Sequence, residues 1–429
     1  MTKPKKKWKK VLVIIAVVLS VLVGGGFLGL EYLKSELKAA IKGCELASKD
    51  FKTVIDFEYV NNWIVVKVKV GGSDKEYPFI FDTGAQTIIL DSLLKDIGKD
   101  RYKKYFTSKK SDTTENAFDG GLISLYDLQM GDVKFRDIGA ITAKNSKWAM
   151  LNCISAYGII GYNIIQTCSF QIDYEKKQIT LTDNVESLAN FDDIQWMDYT
   201  PVSTQETPLV PAVINDSIKI NLLFDTGMSG GISLNSENLY NDFSWQFPER
   251  TVKYISTPSL RIRGETAELQ QALLYKASSF SMGSYISEDV KINIENAAER
   301  EYSGLIGNKY FENYIITLDY KNRRLGFIPT RKMELKNSSY GLSYLPSGEK
   351  MIVSSIFAGF APEKAGLRPG DEIHAINGIV ISELPSETFC EIYRREFNFK
   401  QPGDTLLQID FIKNDTVVAY GFKKQRLFE

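Results

Sequence analysis

Apolar residues in this chain come in short runs separated by turn-forming and charged positions. WIVVKVKV, YPFIF, TIIL, QITLTD and INLLF are rich in β-branched and aromatic side chains and too short for helices. They read as strands, and no long amphipathic helix pattern comes before residue 380. One of these runs is interrupted oddly. FIFDTGAQTIIL, residues 79 to 90, is apolar at almost every position except Asp82 and Thr83, and NLLFDTGMSGGISL, residues 221 to 234, repeats the interruption. The ends of the chain differ in texture. VLVIIAVVLSVLVGGGFLGL, Val11 to Leu30, is an uncharged apolar run of helix-spanning length behind the basic KPKKKWKK. It reads as a transmembrane helix, residues 11–30, with residues 1–10 as a cytoplasmic tail and the remainder outside the cytoplasm, on the periplasmic or extracellular face. A cleaved signal peptide is the competing reading. Residues 31–52, rich in Lys, Glu, Ala and Leu, read as a helical stalk.

The strand-rich region is duplicated. WIVVKVKVGGSDKEYPFIFDTG aligns with PLVPAVINDSIKINLLFDTG, LQMGDVKF with FSMGSYIS, GIIGYNII with GLIGNKYF, and SFQIDYEKKQITLT with YIITLDYKNRRLGFI. The blocks keep their order at nearly constant offsets: 143 residues between Asp82 and Asp225, and 146 between Gly161 and Gly307. Such a period is too long for a solenoid repeat and implies two similar β lobes, residues 53–188 and 189–332.

Composition narrows the chemistry. A formal net charge of -1 offers no case for a nucleic-acid partner. The single histidine, His374, rules out a multi-histidine metal site and leaves one candidate for any Ser-His-Asp triad. No cofactor or metal is expected, and His374 itself reads as a partly buried strand residue. The four cysteines, Cys44, Cys153, Cys168 and Cys390, form no C-x-x-C pair. They read as buried free thiols, with a Cys153–Cys168 bridge as the alternative in an oxidising compartment.

A buried aspartate is costly unless it is hydrogen-bonded or neutral. Two lobes related by a pseudo-twofold axis would bring Asp82 and Asp225 together. Carboxylates in contact share one proton, so one can take a proton from water while the other donates to a peptide carbonyl. Thr83 and Thr226 would hydrogen-bond across the axis. Gly84 and Gly227 would allow a sharp turn and bring backbone N–H groups near the carboxylates. Asp173 and Asp319 also repeat, but beside charged turns, and read as solvated hairpin residues.

These residues resemble the aspartic proteases of the pepsin and retropepsin type. The resemblance covers about residues 55 to 330. It rests on the two Asp-Thr-Gly loops and on the apolar-apolar-Gly signatures Ile159-Ile160-Gly161 and Leu305-Ile306-Gly307. It implies two pseudo-symmetric β-barrel lobes, packing of each signature beside a catalytic loop, and a flap over the cleft. AFDGGLIS would supply that flap, with Gly120 and Gly121 at the hairpin tip. The first loop reads DTGA and lacks the hydroxyl residue of the pepsins. The dyad should therefore titrate higher, with activity at about pH 5 to 7 rather than about pH 2. The second loop, DTGMSGG, is one residue longer and has Met228 where a small residue is expected.

Beyond residue 333 the sequence AGLRPGDEIHAING resembles the PDZ signature, in its bacterial style. The likeness implies an α+β domain over residues 333–429. Its carboxylate-binding loop would be Tyr340-Gly341-Leu342-Ser343, binding a peptide, such as a chain terminus, by β-augmentation. Leu342, Phe389 and Ile392 would line the groove or form the core. The chain as a whole reads as mainly β: a membrane-anchored, monomeric, single-chain aspartic endopeptidase with a PDZ domain for substrate or partner peptides. Two alternatives stand beside it. One is an inactive peptide-binding protein of the same fold; the other is a membrane-tethered PDZ scaffold.

Overall fold

The computed structural model describes residues 42–107, 120–145, 149–202, 205–257, 269–298, 301–399, 405–413 and 416–429. The expected transmembrane segment lies outside them. Among the described residues no helix is long and apolar enough to cross a membrane.

Each lobe is a β barrel built around a buried hairpin. In the first, Trp63–Val70 pairs antiparallel with Glu76–Phe81, with Val65 opposite Ile80. The chain then turns through the first Asp-Thr-Gly and resumes as Ile88–Leu90. Gly158–Ile160 slots between these strands, parallel to the first and antiparallel to the second. A strand enclosed on both sides has no solvated face, which explains why these runs lack polar alternation. The second lobe repeats the plan: Pro208–Ile214 pairs with Ile218–Phe224, and Gly304–Ile306 sits between Ile218–Phe224 and Ile232–Asn235.

The lobes are joined through a shared sheet. Ser169–Asp173 of the first pairs with Tyr314–Asp319 of the second, Phe170 opposite Leu318 and Ile172 opposite Ile316. All four of those side chains are fully buried. Gln178–Thr182 and Lys52–Val60 extend the sheet on one side, Arg324–Pro329 and Gln195–Asp198 on the other. The two barrels therefore share one hydrophobic cluster.

In the C-terminal domain Leu342–Ser347 pairs with Lys350–Phe357, and the sheet continues through Glu372–Ile376, Leu406–Lys413 and Thr416–Lys423. The helices are Ala361–Lys364 and Ser386–Arg394. This sheet is continuous with the second barrel, because Lys350–Phe357 also pairs with Thr251–Ser256, Tyr254 opposite Phe357.

Several expectations from sequence are corrected. The stalk does not run to residue 52: Glu45–Leu46 pairs with Val133–Ala143, and Lys52 opens a barrel strand. A helix precedes residue 380. Glu237–Gln246 is capped by Ser236, whose hydroxyl accepts the Leu239 N–H at 3.2 Å, and it buries Tyr240 and Phe243. Its Asn, Asp and Ser residues are weak helix formers, so tertiary packing rather than propensity makes it helical. Cys153 is bonded to Cys390, 237 residues away, not to Cys168. Cys44 and Cys168 are free, and burial pushes both thiols up to about 12. Asp319 is not a solvated hairpin residue. It is buried, accepts from Arg324 Nε at 2.8 Å, and is also bonded by Asn322. Asp173 is more exposed and pairs with Lys176.

Candidate active site

The pseudo-symmetric strands Glu76–Phe81 and Ile218–Phe224 end at the interface between the lobes. Each delivers an Asp-Thr-Gly to the same point. The carboxyl groups of Asp82 and Asp225 meet there, each lying against the glycine of the opposite loop. Asp82 is 6% exposed, and Asp225 is half-buried.

Backbone bonds fix where each aspartate sits. Asp82 N–H donates to Ile160 O and Asp225 N–H to Ile306 O, both at 3.0 Å. The apolar-apolar-Gly signatures thus lie directly against the loops. Gly161 and Gly307 follow, and a Cβ at either would collide with backbone of the adjacent loop, Thr87 in one case and Met228 in the other.

The threonines form a reciprocal clasp. Thr83 N–H donates to Thr226 Oγ1 and Thr226 N–H to Thr83 Oγ1, each at 3.0 Å. Each hydroxyl then donates at 2.8 Å to the opposite lobe: Thr83 Oγ1 to Phe224 O and Thr226 Oγ1 to Phe81 O. Both side chains are fully buried. Four bonds across the axis leave the loops little freedom to separate.

Gly84 and Gly227 are needed for room rather than for a sharp turn. Neither has a left-handed backbone. A Cβ at Gly84 would lie 2.7 Å from Asp225 Cγ, and one at Gly227 would overlap the Asp82 carboxylate. The absence of a side chain is what lets the carboxyls meet. Both glycine N–H groups donate at 2.8 Å to the aspartate of their own loop, Gly84 to Asp82 and Gly227 to Asp225. Ala85 N–H adds a second bond to Asp82 at 3.0 Å.

The two aspartates titrate unequally. Burial raises Asp82, while the bonds from Gly84, Asp225 and Ala85 counter the rise. Burial and then the neighbouring Asp82 charge raise Asp225 well above the ordinary carboxylate range. Burial raises both carboxyls and a charge on one opposes a charge on the other, so the pair is set to hold one proton between them.

The longer second loop is held in place by its neighbours. Met228 O accepts from Asn308 N–H at 3.0 Å, Gly230 O from Lys309 N–H at 3.0 Å and Gly231 O from Gly307 N–H at 2.8 Å. Residues that the sequence did not single out complete the support. Asn308, fully buried, donates to Thr226 O at 2.6 Å and Asn62 O at 2.8 Å, and accepts from Tyr174 at 2.7 Å. Trp63 Nε1 donates to Gly227 O at 2.9 Å, and Thr207 Oγ1 to Thr83 O at 2.7 Å. Trp63 opens the strand Trp63–Val70, and Thr207 directly precedes the strand Pro208–Ile214. Nothing local marks them, since an indole in WIVVKVKV reads as core.

The chain is similar to known proteins over part of its length. A family model described as "Aspartyl protease" matches residues 66–164, and one described as "PDZ domain" matches residues 317–395. The chain carries an aspartyl protease domain and a C-terminal PDZ domain. The PDZ match starts within the interlobe strand Tyr314–Asp319, whereas the strands of the C-terminal domain's sheet begin at Leu342–Ser347. No curated protein matches. Among solved structures, the crystal structure of Basic 7S globulin from soybean is 9% identical, with a TM-score of 0.40, and covers 65% of this chain and 95% of that chain.

Two other expected sites are placed differently. Gly121 pairs with Thr107 in the hairpin Tyr102–Thr107 and Gly121–Met130, so Gly121 sits in the stem and Gly120 directly precedes its strand. Residues 108–119 lie outside the described residues. The second lobe has the matching hairpin, Thr251–Ser256 with Gln270–Met282. In the PDZ domain, Tyr340 and Leu342 are buried in the core, with Phe389. Gly341 has φ +84°, and its N–H is already held by Ser339 Oγ at 3.1 Å. Ser343 is exposed on a strand that pairs on one side only among the described residues. His374 lies half-buried in the strand Glu372–Ile376.

Proposed function

We propose that this protein is a membrane-anchored aspartic endopeptidase whose catalytic and PDZ domains lie outside the cytoplasm. The observation that carries the reading is the meeting of the Asp82 and Asp225 carboxyls, held by the reciprocal clasp of Thr83 and Thr226. Such a pair hydrolyses a peptide bond through one water. Ionised Asp82 takes a proton from the water as its oxygen bonds to the carbonyl carbon. Protonated Asp225 gives its proton to the carbonyl oxygen. As the tetrahedral diol collapses, one of its hydroxyls returns a proton to the dyad, the C–N bond breaks, the amine leaves with the dyad's other proton, and the pair again holds one proton. The raised position of both carboxyls supports a working range above that of a strongly acidic protease, at about pH 5 to 7.

The placement outside the cytoplasm rests on the lysines before the apolar run. The Cys153–Cys390 bond supports it, because disulfides persist in oxidising compartments. The open edge of Leu342–Ser347 supports a PDZ domain that takes substrate or partner peptides by strand addition.

The test is cleavage of a diverse peptide mixture by the full-length protein in detergent, from about pH 3 to about pH 8, read by mass spectrometry. Asp82→Asn and Asp225→Asn are run beside it. Cleavage by the wild type that both variants lose is the expected result. Cleavage surviving in either variant overturns the mechanism, and a wild type silent at every pH favours a peptide-binding protein of the same fold.

A further inference from the structure

The PDZ helix Ser386–Arg394 is not free to turn toward solvent. Cys390 is bonded to Cys153 of the first lobe, and Arg394 Nη1 donates to Cys153 O at 2.9 Å. Tyr393, from the same helix, packs on Trp63 with ring centroids 6.1 Å apart, with Asn61 beside it.

Asn61 and Asn62 form the two-residue turn joining Lys52–Val60 to Trp63–Val70, with Val60 opposite Trp63. Both have positive φ, 48° and 64°, as a tight hairpin turn of this twist requires. This turn touches the second catalytic loop at several points. Asn62 Nδ2 donates to Ser229 O at 3.0 Å and Trp63 Nε1 to Gly227 O at 2.9 Å. Asn62 O accepts from Asn308, which also donates to Thr226 O. The turn therefore has the PDZ helix on one side and the Asp225 loop on the other. The Asp82 loop is anchored instead by Thr207, within the second lobe.

We infer that Tyr393 is a positioning residue of the catalytic site: through Asn61, Asn62 and Trp63 it holds the loop that carries Asp225. The PDZ domain is thus a structural member of the active site as well as a peptide-binding module. The inference rests on the proposed protease reading for its kinetic consequence, but its structural content stands without it. A loose turn leaves Gly227 O and Ser229 O without fixed donors, and the Asp225 carboxyl then samples positions away from Asp82. Misplacement of this kind lowers kcat more than it changes substrate binding.

The experiment uses the full-length protein with Tyr393→Ala, Tyr393→Phe and, as control, Val417→Ala on the exposed outer strand of the PDZ domain. Amide hydrogen exchange is followed by mass spectrometry over segments 60–63, 82–85 and 225–231, below the melting temperature of every variant. Tyr393→Ala should speed exchange at 225–231 about ten-fold, the equivalent of one lost hydrogen bond, and change 82–85 less, where only Thr83 N–H depends on the other loop. Tyr393→Phe, which keeps the ring on Trp63 and loses only the hydroxyl, should give a smaller change of the same pattern. On a cleaved peptide, kcat should fall about ten-fold for Tyr393→Ala with KM within about two-fold, and Val417→Ala should match the wild type. Unchanged exchange at 225–231 in the folded variants overturns the inference. So does a loss confined to KM, the signature of recruitment alone. Should the wild type cleave nothing, the protease reading falls, and exchange at 225–231 still decides the coupling.

Discussion

The clasp between Thr83 and Thr226 makes a quantitative demand on the fold. Thr226→Val keeps the shape of the side chain and removes the hydroxyl. Two bonds are lost: Thr83 N–H loses its acceptor, and Phe81 O loses its donor. Both threonines are fully buried, so water cannot replace either partner. Each unsatisfied buried backbone group costs about 1–3 kcal/mol, or about 2–6 kcal/mol for the pair. The added methyl returns at most about 0.8 kcal/mol. Thr226→Val should therefore lower the stability of the protease lobes by about 1–5 kcal/mol. Thr83→Val should do the same through Thr226 N–H and Phe224 O. Thr226→Ser, which keeps the hydroxyl, should cost no more than about 1 kcal/mol. The assay is urea unfolding followed by far-UV circular dichroism, with peptide cleavage measured in parallel. A loss below about 0.5 kcal/mol for both valine variants would show that the lobes are not held at the axis and would refute the reasoning.

Further outcomes follow from the same geometry. Asp82 and Asp225 are raised in the folded protein, so the fold binds protons more tightly than the unfolded chain; stability falls as pH rises from the ordinary carboxylate range through the raised values. Asp225→Asn removes that penalty, so its melting temperature should fall less with rising pH than that of the wild type; a variant that falls as steeply as the wild type contradicts the reasoning. Gly227→Ala should stay folded yet lose cleavage by at least about a hundred-fold, because its Cβ overlaps the Asp82 carboxylate. Asp319→Ala strands the guanidinium of Arg324 and should cost about 3 kcal/mol in thermal unfolding, against about 1 kcal/mol or less for the more exposed Asp173→Ala. Cys390→Ser opens a covalent loop spanning 237 residues and should destabilise the reducible tie between PDZ helix and first lobe by on the order of 5 kcal/mol, with free Cys153 appearing in thiol labelling.

The sequence by itself determined the strands, the duplication and the chemistry-bearing loops. Strand pattern is local, and a buried Asp-Thr-Gly inside an apolar run is conspicuous wherever it occurs. Two copies in register specify a pseudo-twofold, and a pseudo-twofold brings corresponding residues to one axis. The same logic misled where repetition did not mean equivalence. Asp173 and Asp319 occupy matched hairpins, yet only Asp319 is buried, because Arg324 and Asn322 stand beside it. Tertiary structure alone decided the rest. The partner of Cys153 lies in another domain, and sequence spacing carries no information about a contact of that range. Trp63, Thr207 and Asn308 act on the catalytic loops from distant parts of the chain. Gly120 and Gly121 read as a tip, but register put Gly121 in a strand, since cross-strand pairing overrides turn preference. The helix Glu237–Gln246 has weak intrinsic propensity and forms because Tyr240 and Phe243 find the barrel core. Residue type and period fix what a segment can become; contacts between segments far apart in sequence fix which of those possibilities is realised.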